Sequence, residues 1–236
     1  MRIAHVLETP RIGVVEAWET QLRLADLCRQ GLIGTVIWLL EHEPTYTTGR
    51  HGLRSDLVLD DARLAKTGAR FVRLDRGGQM TWHGPGQATA YVIGDLRELT
   101  RGSVRDFVSA LVEATADAAV ALGVTDARPD RERHGVYVEE RNLGIIGVRV
   151  TGGLSLHGLA LNRDPDPKWF MPMTACGAPG VPSTSLHAEG GNPDRGQTDA
   201  ALVHALAARL RLTDEPARLE ELLARGLSPE AALPTK

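Results

Sequence analysis

Twelve residues constrain this chain more than any others: Arg76-Gly-Gly-Gln-Met-Thr-Trp-His83-Gly-Pro-Gly-Gln87. They follow the apolar run 70–74 and precede 88–93, and both flanks read as strands. Gly77, Gly78, Gly84 and Gly86 open backbone angles closed to other residues, so main-chain N–H groups can approach a ligand closely. Pro85 fixes one turn angle and removes one donor. A strand on both sides excludes the dinucleotide fingerprint, which opens a helix, and no Lys-Ser/Thr follows to make a Walker A loop. The segment is either a tight strand connection or a ligand-binding loop. The density of Arg76, Thr81, His83 and Gln87 around the glycines favours the second.

The length, 236 residues, suits one large domain with at most a small appendage. Residues 1–212 read as the domain and 213–236 as a C-terminal helical extension. A net charge of −3 leaves no basic footprint for nucleic acid. An arginine-rich stretch at 128–133 is a local exception and a candidate docking surface. No run of about 18 apolar residues suggests a membrane span. The first ten residues interrupt each short apolar run with charge, unlike a signal peptide. Two cysteines, Cys28 and Cys176, are too few for a disulfide framework. The expectation is a soluble, cytoplasmic, monomeric protein with reduced thiols. Lysine is confined to Lys66, Lys168 and Lys236, which limits the amines available for chemistry.

Helical spacing of apolar residues predicts a helix over 14–30, closed by Gly31, with Cys28 as a core or boundary residue. Residues 35–40 read as a buried strand, 41–44 as an interruption and 45–50 as extended again. A short helix is expected over 56–66, capped by Ser55 or Asp56. A long one is expected over 103–122. Strands follow at 135–138, 143–150 and 154–161, with a polar turn at 139–142, then helices at 198–210 and 216–225. Strands grouped in mid-chain without regular strand–helix alternation indicate an α+β fold.

Cys176 lies in a Gly/Pro-bounded loop and is followed by Gly177. A thiolate is a strong nucleophile even when it is a minor species, and free backbone N–H groups beside it would bind an oxyanion. His83 and His157 both precede glycine and suit an acid, a base or a substrate clamp. No short ligand spacing links His83, His157 and Cys176, so no metal is expected.

These residues resemble the lipoyl(octanoyl) transferases of lipoate biosynthesis. Glu41-His-Glu-Pro-Thr-Tyr-Thr-Thr-Gly-Arg50, Arg76 to Gln87, Ile146-Gly-Val-Arg149, Leu156-His-Gly-Leu-Ala-Leu-Asn162, Cys176-Gly177 and Thr184-Ser-Leu186 match that family's motifs in order over roughly residues 10–210. The resemblance implies a mixed β-sheet flanked by helices, similar to the biotin and lipoate protein ligase catalytic domains. It implies octanoyl transfer from acyl carrier protein to a lysine of lipoyl domains, those of the 2-oxoacid dehydrogenase complexes and the glycine cleavage H protein. An acyl-cysteine intermediate is implied, with no cofactor, ATP or metal. Cys176 is then the nucleophile. The acyl pocket falls on Arg76, Gly77, Gly78, Gln79, Met80, Thr81, Trp82 and His83, on Ile145, Ile146 and Gly147, and on Gly158, Leu159 and Ala160.

The chain departs from the family where a lysine partners the cysteine, for that position is Asn142, preceded by Arg141. Asparagine does not titrate, and arginine stays protonated. Ala175 stands where the family usually has proline. His83, His157 and Lys168 are the candidate substitute bases. Besides octanoyl transfer, two other activities fit the residues: a non-catalytic binder of acyl groups or lipoyl domains, and a cysteine thioesterase.

Overall fold

The computed structural model describes residues 2–173 and 181–227. In chain order the elements are β1 (Arg2–Ile12), α1 (Val14–Arg29), β2 (Thr35–His42), β3 (Thr45–Thr48), α2 (Asp61–Thr67), β4 (Arg70–Arg73), β5 (Thr81–His83), β6 (Gln87–Asp95), α3 (Leu96–Thr100), α4 (Val104–Ala121), β7 (Arg128–Asp130), β8 (Gly135–Val138), β9 (Arg141–Thr151), β10 (Leu154–Asn162), α5 (Arg195–Leu210), β11 (Leu212–Pro216) and α6 (Leu219–Ala224). An eight-stranded sheet runs in the order β11-β1-β2-β6-β10-β9-β8-β7, and a three-stranded sheet in the order β4-β3-β5. Both are mixed: β1 runs parallel to β11 and β2, while β2–β6, β6–β10 and β10–β9 are antiparallel.

Period-two alternation builds the two faces of the large sheet. On β2, Ile37 and Leu39 join α4 and α5 through Phe107, Leu111, Leu202 and Leu206. Val36, Trp38 and Leu40 face the other way and pack with Ala17 and Leu24 of α1 and Leu222 of α6. A strand covered on both faces reads as an unbroken apolar run, which is why β2 and β6 are evident in the sequence. The small sheet has its own core of Tyr46, Leu57, Leu64, Met80 and Trp82.

Several boundaries differ from the expected ones. The strand expected to break at Glu41 runs on to His42, whose Nδ1 lies 2.9 Å from the Ile12 carbonyl. The helix expected from 56 begins at Asp61, because Asp60 and not Ser55 or Asp56 accepts the Arg63 N–H. Leu57 and Val58 are drawn into pairing with Met173 and Pro172 instead. The expected turn 139–142 is shorter, since Arg141 and Asn142 already belong to β9. Helix α5 starts at Arg195, where Asp194 caps it by accepting the Gln197 N–H. Residues 212–216, at the junction with the expected C-terminal extension, form an edge strand on β1. No helix among the described residues is long and apolar enough to cross a membrane.

Candidate active site

The glycine loop bridges the two sheets. Arg76 is buried and turned inward: its guanidinium donates to the carbonyls of Thr47 (2.9 Å), Gln79 (2.9 Å) and Gly77 (2.9 Å) and to Thr47 Oγ1 (2.8 Å). The side chain therefore shapes its own loop. The Gly77 N–H donates to the Val148 carbonyl at 2.8 Å and fastens the loop to β9. On the other side Gly49 packs against it so closely that a Cβ there would lie 2.4 Å from the Gly78 carbonyl oxygen. Gly78 itself has φ +78°, a left-handed angle that suits glycine.

Between this loop and β9 lies a cleft of about 640 Å3, within the range of small-molecule sites. The loop from Arg76 to Thr81 forms one wall, with His51 beside it. Ile145, Ile146, Gly147 and Val148 form the other, with Asn142, Tyr137 and His134 continuing it and Val108 contributed by α4. Gly147 lets the two walls approach closely, since a Cβ on it would sit 3.3 Å from Arg76 Cδ. Loop, β9 segment and Asn142 are thus brought together as the sequence suggests.

Other expected pocket residues lie elsewhere. Trp82 turns into the small-sheet core and stacks on Trp169, with centroids 5.5 Å apart. Gly158, Leu159 and Ala160 sit one strand further in and line a void of about 20 Å3 with His83 and His157, and Ala160 also borders a smaller void beside Asn142. A Cβ on Gly158 would lie 2.1 Å from the Ala90 carbonyl, so this glycine permits close approach of β10 and β6. Lys168 is exposed, pairs with Asp166 at 2.6 Å and borders a separate cavity beside Trp169. Cys176 and Gly177 lie outside the described residues. Of the neighbouring described residues, Val181 lines the cleft and Met173 borders a small void beside Asn142.

Asn142 is buried, and its Nδ2 donates to the Gly144 carbonyl at 3.1 Å. Its own N–H donates to Pro182 and its carbonyl accepts from Thr184, both at 2.8 Å, so residues 182–184 run along the start of β9. Arg141 is held away from the cleft by Glu189 (2.8 Å) and Glu139 (2.6 Å). In the 128–133 stretch, Arg128 pairs with Asp126, Arg131 with Glu113, and Arg133 with Asp130 and Glu140, so the expected basic patch is offset by acids.

Three histidines lie beneath the cleft. His42 Nε2 is 2.6 Å from the Tyr91 hydroxyl, and its Nδ1 donates to the Ile12 carbonyl. His83 Nδ1 contacts Gln87 Oε1 at 2.7 Å, and Gln87 Nε2 donates to Asn162 at 2.9 Å. His157 Nε2 donates to Asp75 at 3.0 Å, and Arg149 grips the same carboxylate. Burial holds all three neutral: it lowers His42 to about 4 and His157 to about 3, and pushes His83 well below its ordinary value, helped by His42 and Arg76. In the unfolded chain these groups protonate near 6.5. Their neutral burial therefore gives its full stability above that pH, and the contribution is lost as pH falls from about 6.5 toward 4 for His42 and 3 for His157. By pH 5 the expected loss is about 2 kcal/mol for each of these two. Urea midpoints at pH 7.5 and 5.0 check this, and equal stabilities at the two values would show that these histidines bind protons in the native state as readily as in the unfolded chain.

Sequence reasoning missed His51 and His134 as cleft residues. His51 directly follows the Thr-Thr-Gly-Arg50 motif, whereas His134 lies in no motif.

Residues 14–207 match the lipoyl protein ligase A/B catalytic domain. The chain belongs to this family. An octanoyltransferase of Thiobacillus denitrificans is 41% identical over 203 residues, covering 85% of this chain and 88% of the relative. The bipartite lipoate protein ligase of Thermoplasma acidophilum superposes with a TM-score of 0.69 at 17% identity, covering 100% of this chain and 98% of that one. The biotin protein ligase of Aquifex aeolicus, in complex with biotin and ATP, gives 0.54 at 11% identity over 88% and 70%. At such identities the likeness of the two ligases is one of fold, and it bears out the mixed sheet flanked by helices. Within the family's catalytic domain, the cleft described above is the large cavity bordered by the glycine motif.

Proposed function

We propose that this chain is an octanoyltransferase of lipoate biosynthesis, acting in the cytoplasm. It takes octanoyl from octanoyl-acyl carrier protein and delivers it to a lysine of lipoyl domains, those of 2-oxoacid dehydrogenase complexes and the glycine cleavage H protein. The observation that carries this reading is the 41% identity to an octanoyltransferase over 85% of the chain, joined to a cleft whose β9 wall is apolar.

In this reading the Cys176 thiolate attacks the thioester carbonyl of the donor. The carrier's thiol leaves, and the acyl chain lies between the glycine loop and Ile145 to Val148. The donor is already an activated ester, so ATP has no role. The acceptor amine then attacks the acyl-enzyme, forming the amide and returning the thiol. Asn142 can orient a neighbour by hydrogen bonding but has no proton to exchange near neutral pH. That substitution is the specific feature favouring the second reading, a binder that holds acyl groups or lipoyl domains without turnover.

The test is multiple-turnover transfer. Catalytic enzyme is mixed with octanoyl-carrier protein and excess lipoyl domain, and the acceptor's intact mass is followed. Acceptor in excess of enzyme gaining one octanoyl group supports the transferase. An acceptor left unmodified by folded enzyme overturns it.

A further inference from the structure

Resting on the octanoyl-transfer reading, we infer that Asp75 is a positioning residue for that reaction: its carboxylate latches the glycine loop onto β9 and β10 and so fixes the separation of the two cleft walls.

Asp75 follows β4 and stands directly before Arg76, where the loop wall begins. Side chains from two strands of the large sheet meet its carboxylate. Arg149 of β9 pairs with Oδ2, and His157 Nε2 of β10 donates to Oδ1 at 3.0 Å. Burial keeps His157 neutral, so Arg149 supplies the positive charge. The Asp75 and Arg149 side chains are 21% and 33% exposed, so solvent and salt screen the pair only in part. Two residues on, the Gly77 N–H donates to the Val148 carbonyl at 2.8 Å. The loop is thus fastened at positions 75 and 77 to neighbouring residues of β9. Arg76, between them, serves the loop's own shape by bonding Gly77, Gln79 and Thr47.

The backbone of β10 carries strain at this contact. His157 has φ +63°, a left-handed angle sparsely occupied by non-glycine residues, in mid-strand. Pairing of β10 with β6 runs through Leu154 and Ser155 and resumes at Gly158. Between them the His157 N–H donates to Gln21 Oε1 at 2.7 Å. Such strain persists where the surroundings over-determine it, and it collects at working sites.

Residues 76–81 form one wall of the cleft and 145–148 the other. Asp75 does not line the cleft, so it acts through the loop it anchors. A wall displaced by about 1 Å is enough to cost about 10²-fold in rate.

The experiment uses the full chain and reads two quantities: amide hydrogen exchange at Gly77, and single-turnover loading from octanoyl-carrier protein. Asp75→Asn keeps an acceptor for His157 and removes the charge. Arg149→Gln removes the other charge, and the double variant removes both. Leu222→Ala, in the core that α6 shares with α1, controls for lost stability alone. We expect each charge variant to raise Gly77 exchange by about 10-fold or more. The Leu74 N–H, which donates to Thr48 in the small sheet, should keep its rate. Loading should slow by about 10–10²-fold in each charge variant. The double variant should be no slower than either single one, because both remove the same contact. Arg149 is partly exposed, so Arg149→Gln carries the test if Asp75→Asn does not fold.

Loading at the wild-type rate in the charge variants overturns the assignment. So does slowed loading with Gly77 exchange unchanged, and so do losses that add in the double variant or that Leu222→Ala reproduces at equal stability. A wild-type enzyme that never loads octanoate defeats the octanoyl-transfer reading instead, and Gly77 exchange then still decides whether the latch exists.

Discussion

Replacing Cys176 with serine is expected to abolish the covalent octanoyl adduct, and replacing Cys28 is expected to leave it intact. A serine hydroxyl has almost no anion at neutral pH, whereas an ordinary thiol near 8.5 keeps a few per cent. Cys28 is a poor rival on structural grounds. It lies at the end of α1, packs against the second core cluster and donates its S–H to the Gly34 carbonyl at 3.1 Å. Burial, aided by the Glu98 charge, pushes its thiol up to about 12, so almost no nucleophile exists there. Peptide mapping of the loaded enzyme checks the point, and an octanoyl group found on Cys28 would refute it.

The second large effect is expected at Gly49. An alanine Cβ there would meet three carbonyl oxygens of the glycine loop, Gly78 at 2.4 Å and Arg76 and Gly77 at 2.8 Å. These are backbone atoms, and the loop that carries them is held by Arg76 and by the Gly77 bond to Val148, so none moves alone. Gly49→Ala should cost about 3 kcal/mol of stability through overpacking. It should also slow octanoyl loading by about 10²-fold or more as the loop shifts into the cleft. Gly13→Ala, where a Cβ would meet nothing within 4 Å, is the matched control. Normal loading by Gly49→Ala would mean that the loop is no wall of the acyl site.

How far the sequence foretells this arrangement depends on the residue. Strands β2, β6 and β10 are buried on both faces and announce themselves as apolar runs. Strand β1 does not, because it carries Glu8 and Arg11 and exposes several positions; strand β11, Leu-Thr-Asp-Glu-Pro, exposes most of its length. Pairing in the sheet, with β1 between β11 and β2 and β11 at the edge, makes both of them strands more than propensity does. The glycine loop is legible as a loop, but the inward turn of Arg76 is not, since only the fold supplies the carbonyls it binds. Trp82 shares a motif with Thr81, yet on β5 their side chains leave in opposite directions, so Trp82 enters the small-sheet core, while His83, on the Thr81 side, reaches the small void with His157. Gly158 sits in a motif because β6 and β10 approach closely there. His134 has no motif, and its place on the cleft wall comes from the start of the β8–β9 pairing, where its carbonyl accepts the Ile146 N–H.

The central claim is that the chain carries octanoate covalently and passes it on to a protein lysine. The direct measurement is the fate of isolated, octanoyl-loaded enzyme after mixing with a lipoyl domain, followed by intact mass of both proteins. The account predicts that the enzyme loses one octanoyl group as the lipoyl domain gains one, faster than the loaded enzyme decays in buffer. Loss to water with an unmodified lipoyl domain, as a thioesterase would give, or failure to load at all, as a binder would give, would contradict it.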